Sequence, residues 1–170
     1  MEPPRYNKFD LSLLFTGKGE SVAGKVLDVE EAAKLINNGD TITVSGILGI
    51  LYPERVMSVL EARFLSSGEP RNLTWFDPSP TGPGPGFEHL SHQGMLKRVI
   101  ESWYTPFPQL VDMILDNRLE AYCFPLGSLH LLLREMARQS PGMLTQVGLN
   151  TYVDPRMQGG KLNTVTKEDL

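Results

Sequence analysis

The sequence predicts an α/β fold: a three-layer open sheet, mostly parallel, with helices on both faces. Two observations predict it. Short β-branched or aromatic runs alternate with segments of helical apolar period, giving about five strands separated by helices of roughly ten residues. The 170 residues are 41 % hydrophobic and 21 % charged, which is ordinary for a globular chain with room for one domain and a real core.

Residues 1–24 carry prolines and glycines without apolar period and read as an amino-terminal arm, leaving 25–170 as the domain. Gly17-Lys18-Gly19-Glu20-Ser21 faintly resembles a phosphate loop but lacks the required spacing. Asp28 is placed to cap a first helix, with Glu31 completing a box-like pair. That helix shows Val29, Ala32, Ala33 and Ile36 on one face and stops at Asn37-Asn38-Gly39. Thr41-Ile42-Thr43-Val44 suits a strand, Gly46 and Gly49 break it, and Pro53 opens a helix carrying Val56, Met57, Leu60 and Phe64. Strand, glycine loop and helix in that order place the loop at the carboxyl end of a strand, where open α/β sheets bind ligands. The G-x-x-G spacing alone reads either as a tight βα turn or as a ligand loop.

Leu73-Thr74-Trp75-Phe76 is a second strand. It runs into Asp77–His89, a loop with four prolines and three glycines whose length suits a lid or a site rim. Pro83 and Pro85 lack N–H groups, so the loop is a poor phosphate cradle. Lys97–Trp103 reads as a strand, Leu110, Val111, Ile114 and Leu115 as a helix face, and Leu119–Phe124 as a strand. Leu129, Leu132, Leu133 and Met136 mark a helix with Ser128 as its cap, and Met143–Val147 gives a last strand. From Gly148 the chain turns polar and loses core periodicity. It is expected to be interrupted at its carboxyl end, with a sheet edge and core surface left uncovered.

A net charge of −4 without a Lys/Arg cluster gives nucleic-acid binding no electrostatic support. No apolar run approaches a membrane span, and Met1-Glu2-Pro3-Pro4-Arg5 has no secretory h-region, so a cytoplasmic location is expected. Cys123 is the sole cysteine and fits a reducing compartment. It reads as a packed thiol in a strand. His89 and His92 have metal-like i, i+3 spacing but no convincing third ligand, so no metal is expected. Asp112 and Asp116 beside Arg118 read as a solvated helix face. Composition and spacing thus describe an α/β domain with loops fit for a ligand and no catalytic centre.

Three segments together resemble the amino-terminal (α) half of the family I coenzyme A transferases, most nearly the single-chain acetate and short-chain acyl transferases. They are Ser45-Gly46-Ile47 with Pro53-Glu54; Tyr122-Cys123-Phe124-Pro125-Leu126-Gly127-Ser128-Leu129, against a family pattern near P-Q-G-x-L; and Thr151-Tyr152-Val153-Asp154-Pro155-Arg156 followed by Gly159-Gly160-Lys161-Leu162-Asn163. The third is the most specific. The likeness covers roughly residues 28–170 in the family's order. It implies transfer of coenzyme A between an acyl-CoA and a short-chain carboxylic or keto acid through a glutamyl-CoA thioester. In the family the glutamate lies beyond the region matched here, so no catalytic residue is expected within these 170. Coenzyme A is a substrate and no cofactor is expected; the implied partner is a carboxyl-terminal (β) half or a second copy. The implied site-lining residues are Gly46, Ile47 and Gly49, with Pro125, Leu126 and Gly127 opposite. The departures are Ser45 where the family pairs glycines, Arg55 after Pro-Glu, and Leu126 where it carries glutamine. The alternatives are a non-catalytic remnant or partner subunit of the same fold, and a sugar-phosphate isomerase-like enzyme.

Overall fold

A computed structural model describes residues 26–44, 46–47, 50–79 and 85–170. The arm over 1–24, Ser45, Gly49 and Pro83 therefore lie outside the described residues. In chain order the elements are α1 (Val29–Lys34), β1 (Thr41–Ile42), α2 (Glu54–Ser67), β2 (Leu73–Asp77), an irregular helical turn (Pro85–Glu88), β3 (Leu96–Glu101), α3 (Pro108–Leu115), β4 (Glu120–Cys123) and α4 (Leu126–Ala137).

Local chemistry accounts for most of the boundaries. The Asp28 carboxylate accepts the Glu31 N–H at 2.7 Å and caps α1. Glu31 itself pairs with Lys34, so the reciprocal half of the expected box is not made. Pro53 precedes α2, and Gly68, left-handed at φ 74°, closes that helix with its N–H on Phe64 O at 2.7 Å. Pro108 opens α3 at its first position. Helix α4 starts at Leu126, directly after Pro125, two residues before the expected Ser128 cap. Ser128 instead lies in the first turn, its N–H on Pro125 O at 2.9 Å.

The four strands pair in parallel in the order β1-β2-β3-β4. Side chains alternate across a strand, so the register Trp75↔Val99↔Ala121 puts Leu73, Trp75, Val99 and Ala121 on one face. Met57 and Leu60 of α2, Leu110 and Met113 of α3, and Phe87 of the helical turn bury themselves in the same cluster. Phe87 joins the layers, its ring 4.6 Å from that of Trp75 and 5.0 Å from that of Phe107. Each such aromatic pair adds about 1 kcal/mol beyond simple burial.

The expected strand at Met143–Val147 is not formed: the stretch is irregular, and Leu144 is fully exposed. A strand needs a neighbour, and the outward side of β4 is taken by the tail. Lys161 bridges antiparallel to Tyr122, the Cys123 N–H donates to Gly160 O at 2.8 Å, and the Leu162 N–H donates to Ala121 O at 3.0 Å. The Ala121 N–H goes to Thr166 Oγ1 at 2.8 Å, and Tyr152 Oη donates to Cys123 O at 3.3 Å. The Asn163 side-chain amide then donates to Ile114 O and Leu119 O at 3.0 and 2.9 Å, tying the tail to the end of α3. Buried Asp154 accepts the N–H groups of Asn150 and Arg156 and two bonds from the Arg156 guanidinium, shaping the turn before the strap. The polar tail is thus a docked strap that engages the outward side of β4.

His89 and His92 tie α2 to the segment after the helical turn. His89 lies 2.7 Å from Glu54 through Nε2 and 2.5 Å from Glu61 through Nδ1; His92 Nε2 lies 2.6 Å from the other Glu61 oxygen. Carboxylates only accept, so His89 with an acid on each nitrogen is held as the doubly protonated cation. Burial lowers the His89 pKa, but the bonds to Glu54 and Glu61 outweigh it and raise the value above 6.5. Burial raises the Glu61 pKa, but both histidines outweigh it and hold it below 4.5. The His89 contribution is complete below pH 6.5 and is lost as pH rises through its raised value. The Glu61 contribution is complete above pH 4.5 and is lost as pH falls through its lowered value. Thermal midpoints across pH are therefore expected to peak between these limits. His89→Gln should flatten the alkaline fall; an unchanged profile would show that the strapping carries no stability.

Candidate functional site

The core face of the sheet is apolar until its last row. There Asp77, Glu101 and Cys123 stand in register at the carboxyl ends of three neighbouring strands. Asp77 is buried, its Oδ1 accepts the Ser79 N–H at 2.9 Å, and burial pushes its pKa up to about 7 against the pull of that bond and of His130. Glu101 is completely buried, and neither of its oxygens has a hydrogen-bond partner among the described residues. Burial first and Asp77 second hold Glu101 well above the ordinary carboxylate range; the nearby Trp75 indole eases this without completing a hydrogen bond. The Tyr52 hydroxyl is also buried and unpartnered among the described residues, and burial with the charges of Asp77, Glu54 and Glu101 raises it. Carboxyls left this way stay protonated because an unpaired charge away from water is costly.

Two cavities open at this end of the sheet, each bordered by residues of α4. The smaller, of about 140 Å³, has Asp77 and Ser79 with His130, an apolar wall of Val44 and Leu133, and Gly46. Ser79 Oγ is 3.1 Å from His130 Nε2, and His130 Nδ1 donates to Leu126 O at 3.0 Å. Because a carbonyl only accepts, that bond leaves Nε2 of the neutral ring bare to accept the Ser79 hydroxyl. The larger cleft, of about 460 Å³, lies off β3 and β4 and is lined by Ser102, Trp103, Cys123, Pro125, Leu126 and Tyr152 among others. The Cys123 thiol donates to Ser102 O at 3.4 Å, and burial followed by Cys123 pushes the Tyr152 phenol up to about 12.

The residues expected to line the site are divided between these cavities. Gly46 lines the smaller one, and a Cβ there would come within 2.8 Å of Ile50 O, so the close approach requires glycine. Ile47 pairs with Ile50 through two backbone bonds, turns its side chain to solvent, and lines neither cavity. Gly49 lies outside the described residues. Pro125 and Leu126 line the larger cleft. Gly127 lies in the first turn of α4, lines neither cavity, and would tolerate a Cβ without contact. Asp77 and Ser79 fall in the 77–89 loop expected as a lid or site rim but were not singled out there, and Glu101 and His130 were missed. A signal for two of them exists: L-T-W-F-D and L-K-R-V-I-E are buried strands that each end on a carboxylate.

No family model matches the sequence. The caffeate CoA-transferase of Acetobacterium woodii is 36 % identical over 148 residues, covering 86 % of this chain and 28 % of its own length. The acetate CoA-transferase YdiF of Escherichia coli O157:H7 is 37 % identical over 150 residues, covering 85 % of this chain and 28 % of its own. The crystal structure of the YdiF apoenzyme matches the fold with a TM-score of 0.81 at 36 % identity, over 85 % of this chain and 29 % of that one. The chain belongs to the family I coenzyme A transferases. It corresponds to the amino-terminal part of such an enzyme and spans a little over a quarter of the length of these relatives. The α subunit of the acetoacetyl-CoA:acetate/butyrate CoA transferase of Clostridium acetobutylicum is 25 % identical over 130 residues, covering 76 % of this chain and 57 % of that subunit. In this CoA-transferase portion, no helix among the described residues is long and apolar enough to cross a membrane.

Proposed function

We propose that this chain forms one wall of a coenzyme A transfer site, whose reaction passes coenzyme A between an acyl-CoA and a short-chain carboxylic or keto acid. The observation that carries this reading is the open cleft of about 460 Å³ beside Pro125 and Leu126, at the carboxyl edge of the sheet. Coenzyme A acts there as a substrate. A glutamate from outside these residues attacks the thioester carbonyl, and the acyl group and coenzyme A part through anhydride and glutamyl-CoA intermediates. Each attack places negative charge on a carbonyl oxygen, where one well-aimed backbone N–H is worth on the order of 3 kcal/mol. A solved YdiF structure is a thioester complex with CoA, which supports the intermediate. The partner is a carboxyl-terminal half, covalent or separate, or a second copy; the α-subunit relatives support this. Cys123, alone in the sequence, accords with a cytoplasmic setting.

The test is to co-express the chain with the carboxyl-terminal part of YdiF and assay CoA exchange between acetyl-CoA and a panel of acids. Exchange is expected with short acids when both parts are present and with neither alone. A second reading is a non-catalytic subunit, favoured by apolar, half-exposed Leu126 at the cleft. Parts that co-purify yet stay silent with every acid would establish it.

A further inference from the structure

The geometry points to an acid-recognition pocket in the smaller cavity, where Ser79, His130 and Asp77 hold the free carboxylic acid by its carboxyl and the cavity limits that acid to about four carbons. This rests on the proposed transfer reaction and names which acid the site accepts.

The polar groups converge on one end of the cavity. Asp77 is buried at 2 % exposure and Ser79 at 9 %, while His130 is exposed. A carboxylate entering from solvent thus meets the imidazole first and the hydroxyl and carboxyl deeper in. Ser79 has a rotatable O–H now directed at His130 Nε2, 3.1 Å away, and can redirect it to a ligand oxygen while its backbone N–H stays on Asp77 Oδ1. His130 is fixed by its Nδ1–H bond to Leu126 O, so Nε2 keeps facing the cavity and becomes a donor on protonation. Asp77, when protonated, supplies a third donor. Val44 and Leu133 offer an apolar wall to the acyl tail.

Asp77 is faced by three titratable groups from three elements: Tyr52 ahead of α2, Glu101 on β3 and His130 on α4. Burial favours its neutral form, against the Ser79 N–H bond and His130. With burial holding it near 7, Asp77 donates a proton bond to a bound carboxylate in slightly acidic solution and repels that carboxylate in alkaline solution. Acid binding therefore weakens as pH rises through the Asp77 value.

Size sets the second limit. A cavity of roughly 150 Å³ takes a ligand the size of benzene, about six heavy atoms. At about 140 Å³ this one matches butyrate. Caffeate, named for a relative 36 % identical, has about twice that number of atoms and does not fit.

The test needs no coenzyme A and no partner half. Ligand-observed NMR on the 170-residue chain is expected to show acetate and butyrate binding at pH 6 and at least fivefold weaker binding at pH 8. Caffeate should not displace butyrate. Asp77→Asn should keep binding but lose most of its pH dependence, since the amide donates at either pH. Ser79→Ala should weaken binding severalfold. Leu133→Phe, outside the polar set, should exclude butyrate and retain acetate, and thermal midpoints confirm that each variant is folded. No binding by the unaltered chain, equal binding at both pH values, displacement by caffeate, or an unaffected Ser79→Ala variant overturns the pocket. If short acids bind as described but the joined halves transfer no coenzyme A, the transfer reading fails and the pocket stands. If transfer occurs and Leu133→Phe leaves the KM ratio of butyrate to acetate unchanged, the pocket fails and the transfer reading stands.

Discussion

Gly160→Val is expected to destabilise the chain by about 3 kcal/mol and to lower its thermal midpoint by roughly 6–12 °C. Gly160 sits at φ 74°, a left-handed conformation that costs a side-chain-bearing residue about 1–2 kcal/mol. A Cβ would also stand 2.8 Å from Phe124 Cε1 and 3.0 Å from Cys123 O. The second of these is backbone, and it cannot yield without shifting β4. Forcing extra carbons into such a contact costs about another 1–3 kcal/mol. The strap bond from the Cys123 N–H to Gly160 O would loosen, and with it the Tyr152 wall of the larger cleft. Gly159→Ala is the control. Gly159 is also left-handed, but its Cβ would meet little more than the flexible end of Lys161 at 3.4 Å, so only the conformational cost of about 1 kcal/mol remains. Calorimetry on the two variants should separate them clearly. Equal losses would mean that the strap is not packed against Phe124 as described.

Glu101→Met is expected to move stability the other way. The carboxyl is fully buried and has no hydrogen-bond partner among the described residues, and methionine is similar in length with no polar atom to desolvate. Removing an unsatisfied buried group recovers about 1–3 kcal/mol. The pH dependence is the sharper signature. Above pH 4.5 the unfolded chain releases the Glu101 proton, while the folded chain, with its pKa raised well above that, retains it. Rising pH therefore favours the unfolded form of the native sequence, by up to about 1.4 kcal/mol per pH unit, until the raised folded value is reached. The methionine variant escapes this term, so its advantage in urea unfolding should widen between pH 5 and pH 7. An advantage that stays constant with pH would show that Glu101 is charged in the fold. The gain has an expected functional cost, because Glu101 stands beside Asp77 in the row that borders the smaller cavity.

Much of this architecture is legible from residues alone. Thr41 to Ile42 and Leu73 to Phe76 declare themselves by β-branched and aromatic content, and Pro53 marks a helix start. Met143–Val147 misleads because a strand is made by its neighbour as much as by its own side chains, and the neighbour's edge is engaged by residues some fifteen positions later. The tail misleads for the opposite reason. Asp154, Asn163 and Thr166 hold it through polar bonds to backbone, which no apolar period reports. Gly46 and Pro125 were placed at cavities, but His130 sits on a helix among leucines, and only folding brings it to Ser79, 51 residues earlier.

Every outward-pointing backbone group of Ala121 and Cys123 is consumed: the two N–H groups by Thr166 and Gly160, the two carbonyls by Leu162 and Tyr152. Nothing on that flank is left to template an incoming chain, so β-ladder polymerisation cannot nucleate there while the last dozen residues stay in place. Proteolytic trimming after Tyr152 would bare three of those four groups at once and turn the flank adhesive, which makes the docked tail a guard of solubility as well as a wall of the cleft.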